Sequence, residues 1–227
     1  MGKPTSGGAG GSGGRSRANA EYTQIAGPDF KTPATVQEVQ DSNKEYRNFA
    51  EPRYAKQAER MGEASMAALV QWETDNALIN DTLRKGGIPQ GYASQKTMID
   101  AVTAALDKSM QPLDTNIVVY RGAKIPGLTS MFMQGTLNGA TLTDNGFIST
   151  STNKNIAIRY YKRNVFRSLR DAAILTIRTP KGTQVAYTNP NGSFGIQNEI
   201  IVNRGNSIRI INSRMENNVL LIDAEVV

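Results

Sequence analysis

Three polar segments of the sequence carry side chains that could do chemistry, and each lies at the edge of a predicted strand. They are VVYRGA at 118–123, GFISTST at 146–152 and GSFGIQNE at 192–199. In the last segment Gln197 and Glu199 stand two positions apart, which on a strand places both side chains on one face. The pair is either a frayed strand start or a catalytic carboxylate with a neighbour that chooses the substrate.

The composition restricts which groups could catalyse a reaction. The chain of 227 residues contains no cysteine and no histidine. This excludes disulfides, thiolate nucleophiles, structural zinc sites and Ser-His-Asp triads. Catalysis must therefore use carboxylates, hydroxyls, amides, Arg or Lys. The net charge of +6 and the pI of about 9.5 favour anionic partners, although ordinary solubilising surface charge explains them equally well.

The elements that must position these segments begin with helices. Residues 35–85 predict helix, interrupted at Pro52 and Gly62, because Ala, Glu, Gln and Lys recur throughout. After a loop, residues 95–108 predict a further helix with apolar side chains at helical spacing. We interpret Trp72 as a core anchor rather than as a platform for stacking a base.

Strand patterns dominate the second half of the chain. One strand ends at Gly122, and five further short strands follow, separated by Gly, Pro and Asn. The five are 172–179, 183–188, 198–203, 207–213 and 219–227. One helix at about 155–169 interrupts them, and the last two strands form a hairpin that turns at 216–218. Helices followed by strands are typical of an α+β domain with an antiparallel-rich core.

The length suits one domain of about 200 residues plus a tail. Residues 1–34 are predicted to be a flexible leader, since their Gly/Ser-rich start buries too little apolar area to offset the entropy of ordering. Residues 35–227 are predicted to form a single domain, with a helical part at 35–112 and a β-rich catalytic part at 113–227.

The order of the polar residues resembles a known enzyme family. Arg121, then Ser-Thr-Ser from Ser149, then Glu199 two residues after Gln197 is similar to the mono-ADP-ribosyltransferases of the Arg/Ser-Thr-Ser/Glu class. The pattern is closest to the clostridial exoenzymes that modify Rho GTPases and to related phage and insecticidal toxins. The segment ALVQWETDNALINDTLRKG also resembles the first helix of those enzymes. The resemblance runs from about residue 67 to residue 227.

This resemblance implies an ADP-ribosyltransferase fold of the α+β class, with N-terminal helices packed on a core of two mainly antiparallel β-sheets. It implies that NAD is the co-substrate, that no metal is needed, and that ADP-ribose is transferred to a side chain of a host protein. We expect a monomer without a membrane span. Since no secretory signal peptide is recognised, action in a host cytoplasm is expected. The enzyme would be made there by a phage, or delivered as a toxin or effector by a non-classical route.

The resemblance also assigns roles to residues that match the family's motifs. Glu199 takes the catalytic position, where a carboxylate near the ribose 2′-hydroxyl stabilises the oxocarbenium character that develops as neutral nicotinamide leaves. Ser149 would orient Glu199 and contact the nicotinamide side. Arg121, followed by Gly122, would bind the phosphates of NAD with its guanidinium fork.

Further NAD contacts are implied for Asn80 and Arg84, which stand four residues apart and share a helix face. They would reach the adenosine and phosphate portion; the alternative is that they are polar residues of a helix surface. Thr150 belongs to the same NAD-binding group, and Thr150 and Ser151 would also hold the strand geometry.

The acceptor of ADP-ribose is implied by Gln197 and by the aromatic Phe194 three residues before it. In the family, Glu at the position of Gln197 belongs to enzymes that modify arginine. Gln belongs to those that modify asparagine of Rho, because one amide can donate to and accept from another. Phe194 would contact the protein substrate. Asn or Gln acceptors are therefore favoured over Arg.

Two alternatives stay open at this point. Gln at this position also occurs in relatives that modify guanine in DNA, and the pI and a basic helix make a nucleic-acid acceptor the second hypothesis. The arginines of that helix, at 159, 163, 167 and 170, are first interpreted as a solvated face. The third hypothesis is a catalytically inactive fold that serves as a binding or structural module.

Overall fold

The structure is a computed structural model that describes residues 23–24, 36–165, 170–192 and 195–227. The helices are α1 (Val36–Met61), α2 (Glu63–Lys85), α3 (Lys96–Ser109), α4 (Leu128–Met133) and α5 (Lys154–Val165). The first strands are β1 (Thr23–Gln24), β2 (Gln111–Pro112), β3 (Ile117–Lys124), β4 (Thr141–Thr143) and β5 (Ile148–Ser151). The later strands are β6 (Ala172–Thr179), β7 (Gln184–Tyr187), β8 (Glu199–Val202), β9 (Ser207–Glu216) and β10 (Val219–Val226).

The predicted leader at 1–34 lies outside the described residues except for β1, and the single domain at 35–227 stays a prediction. The end of the predicted helix at 155–169 likewise falls partly outside them. The order of helices before strands confirms the α+β class.

The predicted helix break at Pro52 is wrong, whereas the break at Gly62 is confirmed. Helix α1 runs through Pro52, although a proline in a helix interior removes one backbone hydrogen bond. Tyr46 and Ala50 of the same helix are fully buried against the sheet. We attribute the continuity of α1 to this packing. At Gly62 the backbone has φ 76°, a conformation in which glycine carries no steric penalty, and α2 begins at the next residue.

Two apolar clusters hold α1, α2 and α3 on the sheet, and a third packs α5 against β3, β6 and β10. Residues of β3, β6, β8 and β10 form the larger one with the buried side of α1. Helices α2 and α3 form the second cluster with Phe147, Ala186 and Ile201 from the strand region. Trp72 of α2 is fully buried there and meets the ring of Phe147 edge-on at 5.8 Å. The interpretation of Trp72 as a core anchor is confirmed.

The strands form one continuous ladder in the order β2-β7-β8-β5-β3-β6-β10-β9-β4, with β1 paired to β3. The pairing is antiparallel except at β10–β6 and β1–β3. Strands β3 and β5 are joined through a single residue pair, Tyr120 and Ser151. The two sheets expected from the sequence therefore correspond to two halves of the ladder that meet at this pair.

The closing hairpin is confirmed as well. Strands β9 and β10 pair from Glu216 and Val219 onward, and the turn residues Asn217 and Asn218 have φ values of 49° and 62°. Asparagine tolerates this left-handed conformation better than most residues, which suits a tight hairpin turn. Helix α4 and strands β1, β2 and β4 were not predicted, and strand β5 was indicated only by its polar segment, because each is too short to show a periodic pattern.

Gly122 allows the backbone of α5 to lie directly on β3. A Cβ atom at this position would come within 2.0 Å of the carbonyl oxygen of Ala157 and 2.5 Å of the amide nitrogen of Tyr161. Both are backbone atoms of α5, so a larger residue forces the helix away from the strand. We expect Gly122→Ala to lower the free energy of unfolding by at least about 2 kcal/mol in urea denaturation.

The control for this substitution is Gly87→Ala, because an added Cβ at Gly87 would meet nothing within 4 Å. It should change the free energy of unfolding by no more than about 0.5 kcal/mol, as is usual at the surface. Equal stability of the Gly122→Ala and Gly87→Ala variants would show that α5 can retreat without cost.

Candidate active site

The three polar segments of the sequence meet at one cavity because their strands are neighbours. Strand β5 lies between β3 and β8, and Ser151 pairs with Glu199 across the β5–β8 ladder. Arg121 of β3, Ser149 of β5 and Glu199 of β8 all line a cavity of about 180 Å³. Asn80 and Arg84 of α2 close it from the helical side.

Glu199 is the buried carboxylate of this cavity, with 6% of its surface exposed. Ser149 Oγ donates a hydrogen bond to Glu199 Oε1. The backbone carbonyl of Glu199 accepts a hydrogen bond of 2.7 Å from the hydroxyl of Tyr46 in α1. The side chain and the backbone of Glu199 are thus each held by a hydroxyl from another element.

Burial raises the pKa of Glu199 to about 7. The hydrogen bond from Ser149 opposes this rise, and the nearby Glu73 adds to it. The indole N–H of Trp72 and the charge of Arg121 also lower the pKa. The indole nitrogen is fully buried and has no hydrogen-bond partner within the described part of the chain, so its effect is that of a nearby dipole rather than of a formed bond. A carboxylate with this pKa can change its charge near neutral pH.

The Arg121 side chain is held by a hydrogen bond to the backbone of β5, the strand that carries Ser149. Its Nη1 donates to the backbone carbonyl of Ser149 at 2.8 Å, and its Nη2 lies 4.0 Å from Asp144 Oδ2. The side chain keeps 19% of its surface exposed, toward the cavity. Burial lowers the pKa of Arg121, and the charge of Arg84 lowers it further, whereas Asp144 raises it.

Asn80 and Arg84 share the helix face that the i,i+4 spacing predicts, and both line the cavity. Arg84 donates from Nε and Nη2 to the two carboxylate oxygens of Asp144 at 2.8 and 2.9 Å. The Asn80 side chain is buried, and its Oδ1 has no hydrogen-bond partner among the described residues. A buried acceptor without a partner costs free energy unless a ligand satisfies it.

Thr150 and Ser151 tie β5 to the segment that leads into β8. Thr150 Oγ1 donates to the carbonyl of Ile200 and Ser151 Oγ to the carbonyl of Gln197, each at 2.6 Å. Both residues also line the cavity. Their hydroxyls hold the strand geometry, in agreement with the interpretation from the sequence.

Gln197 reaches the cavity by a different backbone path from the one expected. It ends a 3-10 turn at Gly195–Gln197, and Asn198 then adopts φ 50° before β8 begins at Glu199. The expectation that strand alternation places Gln197 and Glu199 on one face is therefore wrong, although both line the same cavity. Phe194, the expected substrate-contacting aromatic, lies outside the described residues.

Two site residues were missed from the sequence. Tyr160 of α5 lines the cavity, and its hydroxyl donates to Gln197 Oε1 at 3.0 Å. Burial and the charge of Glu199 raise the pKa of Tyr160, so its phenol stays protonated and remains a donor. Asp144 is the second missed residue, and its carboxylate binds Arg84 and lies near Arg121. Nothing local marked either residue, since Tyr160 sits in a basic helix and Asp144 precedes Gly146 in what looks like an ordinary turn.

A second cavity of about 500 Å³ adjoins the first at the arginines. Arg84 and Arg121 line both cavities, and Asp81, Asp144 and Lys124 add charge to the second. The remaining wall of the second cavity is largely apolar, with Ile125, Pro126, Leu142, Ile148, Leu175 and Ile208. The molecule thus offers two compartments joined by two guanidinium groups.

The described residues contain no group of three or more carboxylate, histidine or cysteine side chains that could hold a metal ion. Within the part of the chain that the structure describes, no helix is long and apolar enough to cross a membrane.

Comparison with solved structures finds several toxins of the same fold. Plx2a, an ADP-ribosyltransferase toxin from Paenibacillus larvae, is 21% identical with a TM-score of 0.61, over 82% of this chain and 96% of that one. The Clostridium limosum C3 exoenzyme is 21% identical with a TM-score of 0.61, over 88% and 98%. BECa of a C. perfringens binary enterotoxin, solved with NADH, is 17% identical with a TM-score of 0.63, over 80% and 48%. A search of curated proteins found no match.

A family model provides the assignment. The model of the ADP-ribosyltransferase exoenzyme matches residues 46–227, which include both cavities and all the strands from β2 to β10. The chain therefore belongs to the ADP-ribosyltransferase exoenzyme family and is an NAD-dependent ADP-ribosyltransferase.

Proposed function

We propose that Glu199 is the catalytic carboxylate for cleavage of NAD and that ADP-ribose passes to a carboxamide side chain of a host protein. The observation that carries this proposal is that Glu199 and Gln197 line one cavity. There Ser149 donates a hydrogen bond to the carboxylate of Glu199, and Tyr160 donates one to the amide oxygen of Gln197. The enzyme would act as a toxin or effector, or as a phage enzyme that modifies its host.

The two cavities suit a dinucleotide. NAD has two nucleoside halves joined by a pyrophosphate, and the protein has two compartments joined by Arg84 and Arg121. Guanidinium groups are well matched to phosphate oxygens. The nicotinamide half would lie beside Glu199 and the adenosine half in the second cavity. Asn80 also lines the first cavity, beside Arg84 and Arg121, so the residues present fit NAD.

The chemistry needs little more than the groups of this cavity. Nicotinamide leaves as a neutral base, so no general acid is required at the leaving group. Positive charge develops on the ribose, and the buried carboxylate of Glu199 stabilises it strongly because the site excludes much of the water. Ser149 would fix the direction of that carboxylate through its hydrogen bond.

Gln197 would select the acceptor through the atom that Tyr160 leaves available. Since the Tyr160 hydroxyl donates to Oε1, the amide NH₂ group at Nε2 of Gln197 would donate into the cavity. An Asn or Gln acceptor presents a carbonyl oxygen to that amide NH₂ and keeps its own NH₂ for the reaction. A guanidinium carries only donors and cannot accept from Nε2.

A nucleic-acid acceptor is the second candidate, and two exposed arginines favour it. Arg159 and Arg163 lie on the same helix as Tyr160, and both charges act on its phenol. A cationic rim attracts a phosphate backbone. The protein acceptor is preferred because Gln197 supplies the selectivity described above.

The test is to incubate bacterial and eukaryotic lysates with the protein and labelled NAD and to locate the modified residue by mass spectrometry. We expect label on Asn or Gln side chains that is lost on protease treatment. Label that survives protease but not nuclease would establish the nucleic-acid acceptor instead. No cleavage of NAD by the folded protein would contradict the proposal as a whole.

Replacing Gln197 by Glu should redirect the acceptor. A carboxylate can still accept from Tyr160 and can bind a guanidinium, so the variant should label carboxamides about tenfold less, equivalent to about 1.4 kcal/mol. Arginine labelling should appear at the same time, measured in the same lysates. Gln184→Glu, an exposed site on β7, is the matched control and should leave the acceptor unchanged. Unaltered carboxamide labelling by Gln197→Glu would remove Gln197 from acceptor choice.

A further inference from the structure

The two arginines at the junction of the cavities share one anionic neighbour, Asp144. Arg84 contacts both of its carboxylate oxygens, from Nε to Oδ1 at 2.8 Å and from Nη2 to Oδ2 at 2.9 Å. Arg121 Nη2 lies 4.0 Å from the same Oδ2. One carboxylate therefore stands against both guanidinium groups that are proposed to bind the pyrophosphate.

Asp144 is itself held by the backbone around it. Oδ1 accepts the amide N–H of Gly146 at 2.9 Å, and the Asp144 carbonyl accepts the amide N–H of Gly205 at 3.0 Å. The loop of residues 144–146, between β4 and β5, also lies directly on α2. A Cβ at Gly146 would come within 2.6 Å of Asn80 Oδ1 and 3.3 Å of Arg84 Nε. A residue anchored in this way is suited to hold its partners rather than to swing aside as a gate.

The two positive charges of Arg84 and Arg121 need a fixed anionic partner such as Asp144. Arg84 and Arg121 both approach the same oxygen of Asp144, so their guanidinium groups stand close together. Burial and the charge of Arg84 both lower the pKa of Arg121. Like charges at this distance repel, and long arginine side chains would otherwise turn toward solvent. Asp144 offsets one of the two positive charges, and each guanidinium keeps N–H groups that Asp144 does not use.

We propose that Asp144 is a positioning residue that holds Arg84 and Arg121 as a preformed clamp for the pyrophosphate of NAD. This inference rests on the proposed function, in which those arginines bind the phosphates. Because the clamp exists before NAD arrives, binding loses less side-chain freedom than it would with two mobile arginines. Removal of the carboxylate should therefore weaken binding, even though it removes a negative charge from the neighbourhood of the phosphates.

The experiment measures binding of NAD and of ADP-ribose to the Asp144→Asn variant by calorimetry. ADP-ribose lacks only nicotinamide, so it reports on the contacts to the adenosine, the pyrophosphate and the second ribose. We expect the Kd of both ligands to rise at least about tenfold, and the KM for NAD hydrolysis to rise more than kcat falls. Asp114→Asn, which breaks another arginine fork with Arg53 away from both cavities, is the control and should leave both Kd values unchanged.

A double-mutant cycle with Arg84→Gln separates positioning from a general structural effect. If Asp144 acts through the two arginines, the Asp144→Asn change should cost less once Arg84 is gone, because only Arg121 is then left to be positioned. Should Asp144→Asn fail to fold, Asp144→Ser replaces it, because a serine hydroxyl can keep the turn bond to Gly146 without the charge.

Two results would overturn the inference. One is ADP-ribose binding by the folded variant that is as tight as wild type or tighter, which would make Asp144 a competitor of the phosphates. The other is a double variant whose loss of ligand affinity equals the sum of the losses caused by Asp144→Asn and Arg84→Gln alone. Failure of the wild-type protein to bind NAD at all would instead contradict the proposed function, so the two failures are distinguishable.

Discussion

Replacement of Glu199 by Gln is expected to abolish NAD hydrolysis and ADP-ribose transfer together, by at least about a thousandfold. Glutamine keeps the shape and can still accept from Ser149, but it brings no negative charge to the developing positive charge on the ribose. The loss should appear in kcat, because the charge matters most in the transition state. Initial rates with labelled NAD, with and without lysate, measure both reactions.

A second buried carboxylate provides the control for this experiment. Glu225 of β10 is 5% exposed and pairs with Arg209 at 3.0 Å. Glu225→Gln removes a buried carboxylate in the same way and should retain NAD hydrolysis, provided that the assay is run where it stays folded. Retained hydrolysis by Glu199→Gln would refute the assignment of the catalytic carboxylate.

The Glu199→Gln substitution should also stabilise the fold at alkaline pH. Burial raises the pKa of Glu199 from 4.5 to about 7, so the folded state resists the charged form. The stability that the protonated carboxyl contributes is present below pH 4.5 and is lost as the pH rises through about 7. Glu199→Gln should therefore raise the free energy of unfolding at pH 8 by up to about 3 kcal/mol and change it little at pH 4.

Urea denaturation at the two pH values measures this difference, and it separates loss of activity from loss of fold. The wild-type rate of NAD hydrolysis at limiting NAD should rise with pH through about 7, as the carboxylate becomes charged. A flat pH profile together with unchanged stability of the variant at pH 8 would mean that Glu199 is charged throughout.

The meeting of Arg121, Ser149 and Glu199 could be predicted from the sequence because it depends on strand ends and on a motif order. Arg121 and Glu199 lie on strands that the sequence pattern predicted, and Ser149 lies on a strand that its polar segment at 146–152 indicated. The resemblance supplied the order of roles, and neighbouring strands brought the side chains together. Local pattern and long-range pairing point to the same arrangement here.

Other features could not be read from the sequence because they depend on contacts between distant segments. Asp144 meets Arg84 across 60 positions and Tyr160 meets Gln197 across 37, and neither pair has a local signal. The course of α1 through Pro52 is likewise decided by packing against the sheet rather than by helix propensity.

Replacement of Arg121 by Gln is expected to weaken NAD binding by about a hundredfold, which corresponds to loss of a charge-assisted contact of about 2.7 kcal/mol. Arg121 also lowers the pKa of Glu199, so its removal should move that pKa further upward. The pH at which NAD hydrolysis reaches half its maximum should therefore shift to a higher value than in the wild type.

Arg121→Lys separates charge from geometry. Lysine keeps the positive charge near Glu199 but lacks the planar fork that binds the Ser149 carbonyl and faces the cavity. The pH profile should thus stay close to that of the wild type while NAD affinity remains at least about tenfold weaker. Arg53→Gln, which removes an arginine paired with Asp114, should alter neither. If the Lys variant restored affinity in full, Arg121 would act as a point charge, and the proposed phosphate clamp would not depend on its shape.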